Sequence, residues 1–275
     1  MSARTWTRTD VSDVLHRPTA SDDKYSRGVV GIRTGSDRYP GAAVLGVEAA
    51  WRTGVGMVRY VGPERPTGLV LARRPETVTG SGRVQAWLIG SGTDAATRDP
   101  GESAALRGVL RGSDPVVVDA GALELAAGAP APRILTPHAR EHARLREALG
   151  LDTADPDSAE AAADTARATG AVVVRKGART VIADPDGRSV AIDAPTWWLA
   201  TAGTGDVLAG IIAAVTAGRR RGDLLAAAAS GVWLHGRAGA LAVAAHGGGP
   251  VTALDVAAQV PFAVAEALAD GTSDA

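Results

Sequence analysis

The chain has 275 residues, 45% of them hydrophobic and 21% charged, the balance of a globular protein with a sizeable core. A net charge of −1 supplies no general field toward nucleic acid or an anionic membrane, so neither is an expected partner. The absence of cysteine excludes disulfides, thiolate metal sites and a cysteine nucleophile.

Residues 1–10 are polar and lack the apolar stretch of a secretory signal, and no uncharged apolar run of spanning length follows, so the cytoplasm is the expected location. No stretch reads as a linker. One domain over 1–275 is expected, with 1–20 and 271–275 at its periphery. Phe262 is the only phenylalanine, so the core must be built from Ala, Val, Leu and Ile.

Taken in order, Gly28–Ile32 is a short β-branched run that ends in a polar turn. Gly41–Thr53 has Val44, Val47, Ala50 and Trp51 at helical spacing, and Met57–Val61 reads as a strand: together a βαβ unit. Similar runs recur at Ala86–Ile89, Pro115–Val118, Arg133–Leu135 and Ala171–Val174, separated by Ala-rich helical patterns. Continuous apolar runs suit strands covered on both faces, as in a parallel sheet. Val181–Ala183 and Val190–Ile192 flank Pro185-Asp186-Gly187, a hairpin signal that predicts a local antiparallel patch. From Asp206 onward the pattern is helical: Val207–Ala217, Asp223–Ala245 and Ala253–Leu268, with Asp223 and Thr252 placed as N-caps.

Several segments carry candidate chemistry. In Thr201–Gly210, Gly203 and Gly205 let backbone amides converge just before an apolar helix, and such an N-terminus attracts phosphate. There Asp206 can take the proton of an attacking hydroxyl; alternatively it only caps the helix. Val172–Ala183 ends a buried strand at Lys176-Gly177, with Arg179 and Thr180 near enough in sequence to reach phosphate or ribose. Lys176 is one of two lysines in a chain that otherwise uses arginine. In Ile134–Leu145 a strand gives way to a helix at His138, in the crevice where open α/β sheets bind ligands. His138 and His142 do not form an HExxH zinc arrangement. Asp119, at the end of Val116–Val118, either binds a divalent ion through water or caps a turn. The glycines of 24–46 do not meet the dinucleotide fingerprint, which argues against a nicotinamide oxidoreductase.

Taken together, GSDRYPGAAVLGVEAAWRTGVGMV, VVDAGAL, LTPHAREHARL, VVVRKGARTVIA, TAGTGDVLAG and GVWLHGRAGALA resemble the ADP/ATP-dependent NAD(P)H-hydrate dehydratases, in order from Lys24 to about Val260. The resemblance is to the stand-alone bacterial form of that family. It implies a ribokinase-like three-layer sandwich, a mostly parallel sheet with helices on both faces. It further implies a lyase that uses ADP, or ATP, with Mg²⁺ to convert the S epimer of hydrated NADH or NADPH (NADHX, NADPHX) back to the reduced cofactor, giving AMP and phosphate. By the same resemblance Lys176, Gly177, Ala178, Arg179, Thr180, Gly203, Thr204 and Gly205 contact nucleotide, and Ala42, Gly92, His138 and Asp206 contact the hydrated dinucleotide. Asp206 is the catalytic base, and no protein metal ligand is implied. A homo-oligomer, such as a tetramer, is expected.

The chain departs from the family pattern in three places. The usual GPGLG reads Gly90-Ser91-Gly92-Thr93-Asp94, and the usual DADAL reads Asp119-Ala120-Gly121-Ala122-Leu123. The Gly/Asn-Pro-Gly stretch before GTGD is replaced by Ala194–Leu199, whose Trp197 and Trp198 either stack on a base or pack under the loop. Two other readings compete: a hydroxymethylpyrimidine or thiazole alcohol kinase of the same superfamily, and a nucleotide-binding protein without activity.

Overall fold

The computed structural model describes residues 4–219 and 223–269. The expected fraying of 271–275 lies outside them. In chain order the elements are β1 (Arg4–Thr5), α1 (Arg8–Val14), β2 (Val29–Arg33), α2 (Gly41–Thr53), β3 (Met57–Tyr60), α3 (Glu64–Arg73), β4 (Val78–Thr79), β5 (Ala86–Ile89), α4 (Pro100–Leu110), β6 (Val116–Val118), β7 (Arg133–Leu135), α5 (Ala139–Ala148), α6 (Ala159–Thr169), β8 (Val172–Arg175), β9 (Arg179–Ala183), β10 (Ser189–Asp193), α7 (Thr204–Gly218), α8 (Leu224–Ala245) and α9 (Ala253–Leu268). Short 3₁₀ turns occupy Ala120–Leu125 and Trp197–Leu199.

The strands form one ten-stranded sheet in the order β1-β10-β9-β8-β7-β6-β5-β2-β3-β4. All neighbours are parallel except β9, which is antiparallel to both β8 and β10. Alternation along the strands divides the core in two. Leu88, Val117, Ile134, Val172 and Val174 face α1, α2, α7, α8 and α9. Ile89, Val116, Val118, Leu135 and Val173 face α4, α5 and α6. This is the expected three-layer α/β sandwich. Both sheet faces are covered, which is why the strands read as unbroken apolar runs.

The expected hairpin is β9–β10, and Asp223 and Thr252 cap α8 and α9 as the sequence predicts. Helix α7 begins earlier than the sequence suggests. Its N-cap is Gly203 at φ +89°, so Asp206 lies inside the first turn and caps nothing. Among the described residues no helix is long and apolar enough to cross a membrane.

Candidate active site

The parallel strands β2, β5, β6, β7 and β8 all end at one edge of the sheet, and each delivers functional groups there. After β6 comes Asp119, only 3% exposed. Its Oδ1 accepts hydrogen bonds from Thr136 Oγ1 at 2.7 Å and Lys176 Nζ at 2.9 Å, and its Oδ2 from Ser91 Oγ at 2.8 Å. Ser91, Thr136 and Lys176 follow the ends of β5, β7 and β8, so this buried carboxylate ties adjacent strand ends together. Burial alone would raise its pKa, but Lys176 and the two hydroxyls hold it below the usual carboxylate range. Burial would likewise lower the Lys176 pKa. The carboxylates of Asp119, Glu141 and Asp206 outweigh that and keep the ammonium charged.

Helix α7 points its N-terminus at this cluster. No side chain caps it; the Thr204 amide donates to the Thr201 carbonyl at 3.3 Å, which leaves the Gly205 and Asp206 amides for a ligand. Gly205 faces the lysine: a Cβ there would lie 3.7 Å from Lys176 Nζ. Thr204 Oγ1 donates to the Leu199 and Thr201 carbonyls at 2.7 and 2.8 Å, fixing the turn before the helix. The Asp206 pKa is pushed up to about 7, by burial first and then by the Asp119 carboxylate, against the pull of Lys176. A carboxyl group that titrates near neutrality can accept a proton and return it.

A cavity of about 530 Å³ opens beside α7. Its lining includes Lys176, Gly177, Ala178, Thr180, Thr204, Gly205 and His138. Two residues expected with this group sit apart from it. Arg179 is exposed and paired with Asp193 at 2.9 Å, and Gly203 packs where a Cβ would meet Leu45 at 2.6 Å and Ala253 at 3.1 Å. His138 is the N-cap of α5 in a capping box with Glu141. Its partner in sequence, His142, is buried and bonded to the Pro156 carbonyl and Thr165 Oγ1, a structural position.

Glu141 lines a second cavity of about 430 Å³ with Tyr39, Thr93, Asp94, Gly121 and Arg144 among others, on the other side of the α5 N-terminus. Ala42 and Gly92 meet next to it. A Cβ on Gly92, at φ +68°, would lie 2.6 Å from that of Ala42 and 2.8 Å from the Tyr39 carbonyl. Two departures from the family pattern prove to be in contact here: a Cβ at Gly121 would meet the Thr93 carbonyl at 2.3 Å.

Sequence reasoning missed three groups. Ser91 and Thr136 hold Asp119, and each lies one or two residues past a strand end, which was the available signal. His235 on α8 also lines the first cavity; it is 9% exposed and its Nε2 has no hydrogen-bond partner. Burial, and then the nearby Lys176 charge, push its pKa down to about 4 despite the Thr204 backbone, so it is a neutral imidazole. It stands in the segment GVWLHGRAGALA, whose apolar helical pattern gave no reason to single out the histidine.

Among the described residues no three His, Asp or Glu side chains are grouped to hold a metal ion. With Asp119 already accepting from three donors, the donor set suits a divalent cation carried on nucleotide phosphates with its own waters, not one held in a protein cage.

A mostly parallel sheet covered by helices on both faces, with an uncapped helix N-terminus and a near-neutral carboxyl group at its strand ends, defines a ribokinase-like α/β fold. Within that class the chain belongs to the NAD(P)H-hydrate dehydratase family, whose model matches residues 30–261. It is 42% identical over 254 residues to the bifunctional NAD(P)H-hydrate repair enzyme Nnr of Mycobacterium leprae, covering 88% of this chain and 51% of the relative. The chain thus spans about half the length of that relative. It is 38% identical over 246 residues to the ADP-dependent (S)-NAD(P)H-hydrate dehydratase of Xanthomonas campestris, covering 81% and 83% of the two chains. The structure superposes on the Bacillus subtilis ADP/ATP-dependent NAD(P)H-hydrate dehydratase co-crystallised with ATP and Mg²⁺, with a TM-score of 0.85, 28% identity and coverage of 97% and 99%.

Proposed function

We propose that the chain dehydrates the S epimer of NADHX and NADPHX to NADH and NADPH, using ADP and releasing AMP and phosphate. One observation carries this reading: a carboxyl group poised at a pKa of about 7, Asp206, sits in the first turn of a helix whose amides face a cavity lined by Lys176. Family membership and the Xanthomonas relative supply the substrate class.

In this reading Asp206 takes the proton of the C6 hydroxyl of the hydrated ring, and that oxygen attacks the β-phosphorus of ADP. The bond from phosphorus to the bridging oxygen breaks and AMP leaves. Hydroxide is a poor leaving group and phosphate a good one. The ring nitrogen then expels phosphate from C6, and loss of the C5 proton restores the reduced ring. The α7 amides stabilise the transferring phosphoryl group, and Lys176, fixed by Asp119, holds its charge toward it. Mg²⁺ bound to the phosphates would neutralise their charge and bring its own waters. Lys176–Thr180 and Thr204–Gly205 take the nucleotide side, and Ala42, Gly92 and His138 the hydrated dinucleotide. Arg179 would join only by leaving Asp193.

The alcohol-kinase reading shares base and anion hole but keeps the phosphate on its product. Incubation with hydrated NADH, ADP and Mg²⁺ separates the two. The proposal requires nucleotide-dependent recovery of reduced nicotinamide with one AMP per turnover; a stable phosphorylated alcohol from a vitamin precursor, with no recovery, would replace it.

A further inference from the structure

We propose that Trp197 is the face on which the nucleotide base stacks, making it a specificity-determining residue that this chain carries in place of the family's Gly/Asn-Pro-Gly stretch. The inference rests on the nucleotide-dependent reading above.

The first cavity is chemically two-sided. At the first turn of α7 it presents Lys176 and Gly205, suited to phosphate. Elsewhere its lining includes the apolar Ile192, Leu199, Leu208 and Val232, which suit a flat, largely apolar ring, with Asp193, Thr196, Thr201 and His235 as the polar groups among them. The segment Ala194–Leu199 closes this apolar part and rests on α8. Pro195 lies over Gly236, and Leu199 over Gly239, where a Cβ would come within 2.6 Å of the leucine side chain. Leu199 is therefore the residue that packs under the loop.

The two tryptophans separate at this point. Trp197 lines the cavity and is 74% exposed; Trp198 is 44% exposed and does not line it. An indole of that size left uncovered at the mouth of a ligand cavity is a ready stacking platform. The Trp197 carbonyl accepts from the Ala200 amide at 3.0 Å, and the backbone around it is fixed as well. Thr196 Oγ1 accepts from the Trp198 amide, Thr201 Oγ1 donates to the Trp198 carbonyl at 2.8 Å, and Thr204 Oγ1 donates to the Leu199 carbonyl at 2.7 Å. A rigid ring on a clamped turn loses little freedom when a base settles on it. Because Thr204 belongs to the phosphate-binding turn, the same hydroxyl couples the base platform to the anion hole.

The test is equilibrium binding, followed by tryptophan fluorescence and calorimetry in the presence of Mg²⁺. ADP should change the fluorescence of the unsubstituted chain. Trp197→Ala should remove that change and weaken ADP binding roughly tenfold, whereas Trp197→Phe should keep most of the affinity. Trp198→Ala should bind ADP as the unsubstituted chain does. CDP, with a smaller ring, should bind more weakly than ADP, and the gap should shrink in Trp197→Ala. Pyrophosphate, which has no base, should compete equally in both proteins. Unchanged ADP affinity in Trp197→Ala would overturn the stacking role while leaving the dehydratase reading intact. An unsubstituted chain that binds no ADP would overturn both.

Discussion

Asp206 is where pH acts most directly on this site. Its pKa is raised, from 3.8 to about 7, so the protonated form is the one the fold favours. The stabilisation this represents is fully present below about pH 4 and is lost as pH rises through about 7. In the proposed reaction the dependence runs the other way, because only the carboxylate can accept a proton. Activity should therefore rise through about pH 7 while thermal stability falls. Asp206→Asn should lower turnover by roughly 10²–10⁴-fold with nucleotide binding retained. It should also melt higher than the unsubstituted chain above pH 7, a difference that closes below about pH 4. Near-normal turnover in that variant would remove Asp206 from the role of base.

Lys176→Ala should raise the nucleotide KM and also destabilise the fold by about 3–5 kcal/mol, since it strands the Asp119 carboxylate beneath the strand ends. Denaturant melts and steady-state kinetics read the two effects separately; an unchanged KM would take Lys176 out of the nucleotide site. The placement of Asp206, Lys176 and His138 at this end of the sheet was legible in the sequence because each sits in a short local motif. The Asp119–Lys176 pair was not. Its partners are 57 residues apart and meet only because β6, β7 and β8 end side by side.

At the scale of elements, the position of α7 depends on how closely it crosses α2. A Cβ at Gly210 would lie 2.4 Å from the Gly46 carbonyl, so the two helices touch backbone to side-chain-free backbone. Gly210→Ala should cost about 1–3 kcal/mol of stability by overpacking and should lower kcat as well, by shifting the helix whose first turn is proposed to hold the phosphoryl group. A melt and a rate measured on one preparation test both; a rate unchanged in a destabilised protein would show that α7 need not be held so tightly.

The departures at positions 93 and 121 are in contact at this scale. Gly121→Asp restores the family's acid, yet the new Cβ runs into the Thr93 carbonyl, so loss of stability is expected where family resemblance alone would predict tolerance. Helix α2, the β9–β10 hairpin and the caps of α8 and α9 could be read from spacing and turn residues. The two-residue strands β1 and β4 could not, because they are defined by their neighbours and not by any pattern of their own. The start of α7 was misplaced for a related reason: a glycine at positive φ begins the helix without the side-chain cap that sequence reading looks for.

Over the whole molecule, the sheet separates structural from chemical demands. Apolar clusters pack on both of its faces, and the polar groups of the site collect at the carboxyl ends of the parallel strands. The layered fold was legible because buried parallel strands leave long β-branched runs. The presence of two cavities on either side of the α5 N-terminus was not, because it depends on where the loops after β2, β5, β6, β7, β8 and β10 come to rest. That arrangement suits the proposed reaction, which requires two bound molecules. The most direct test is the absorbance of the reduced nicotinamide ring after mixing the protein with hydrated NADH and Mg²⁺, with and without ADP. Recovery of that absorbance only when nucleotide is present, with AMP formed in equal amount, is the predicted result. No recovery from folded protein that binds ADP, or recovery that does not depend on nucleotide, would contradict it.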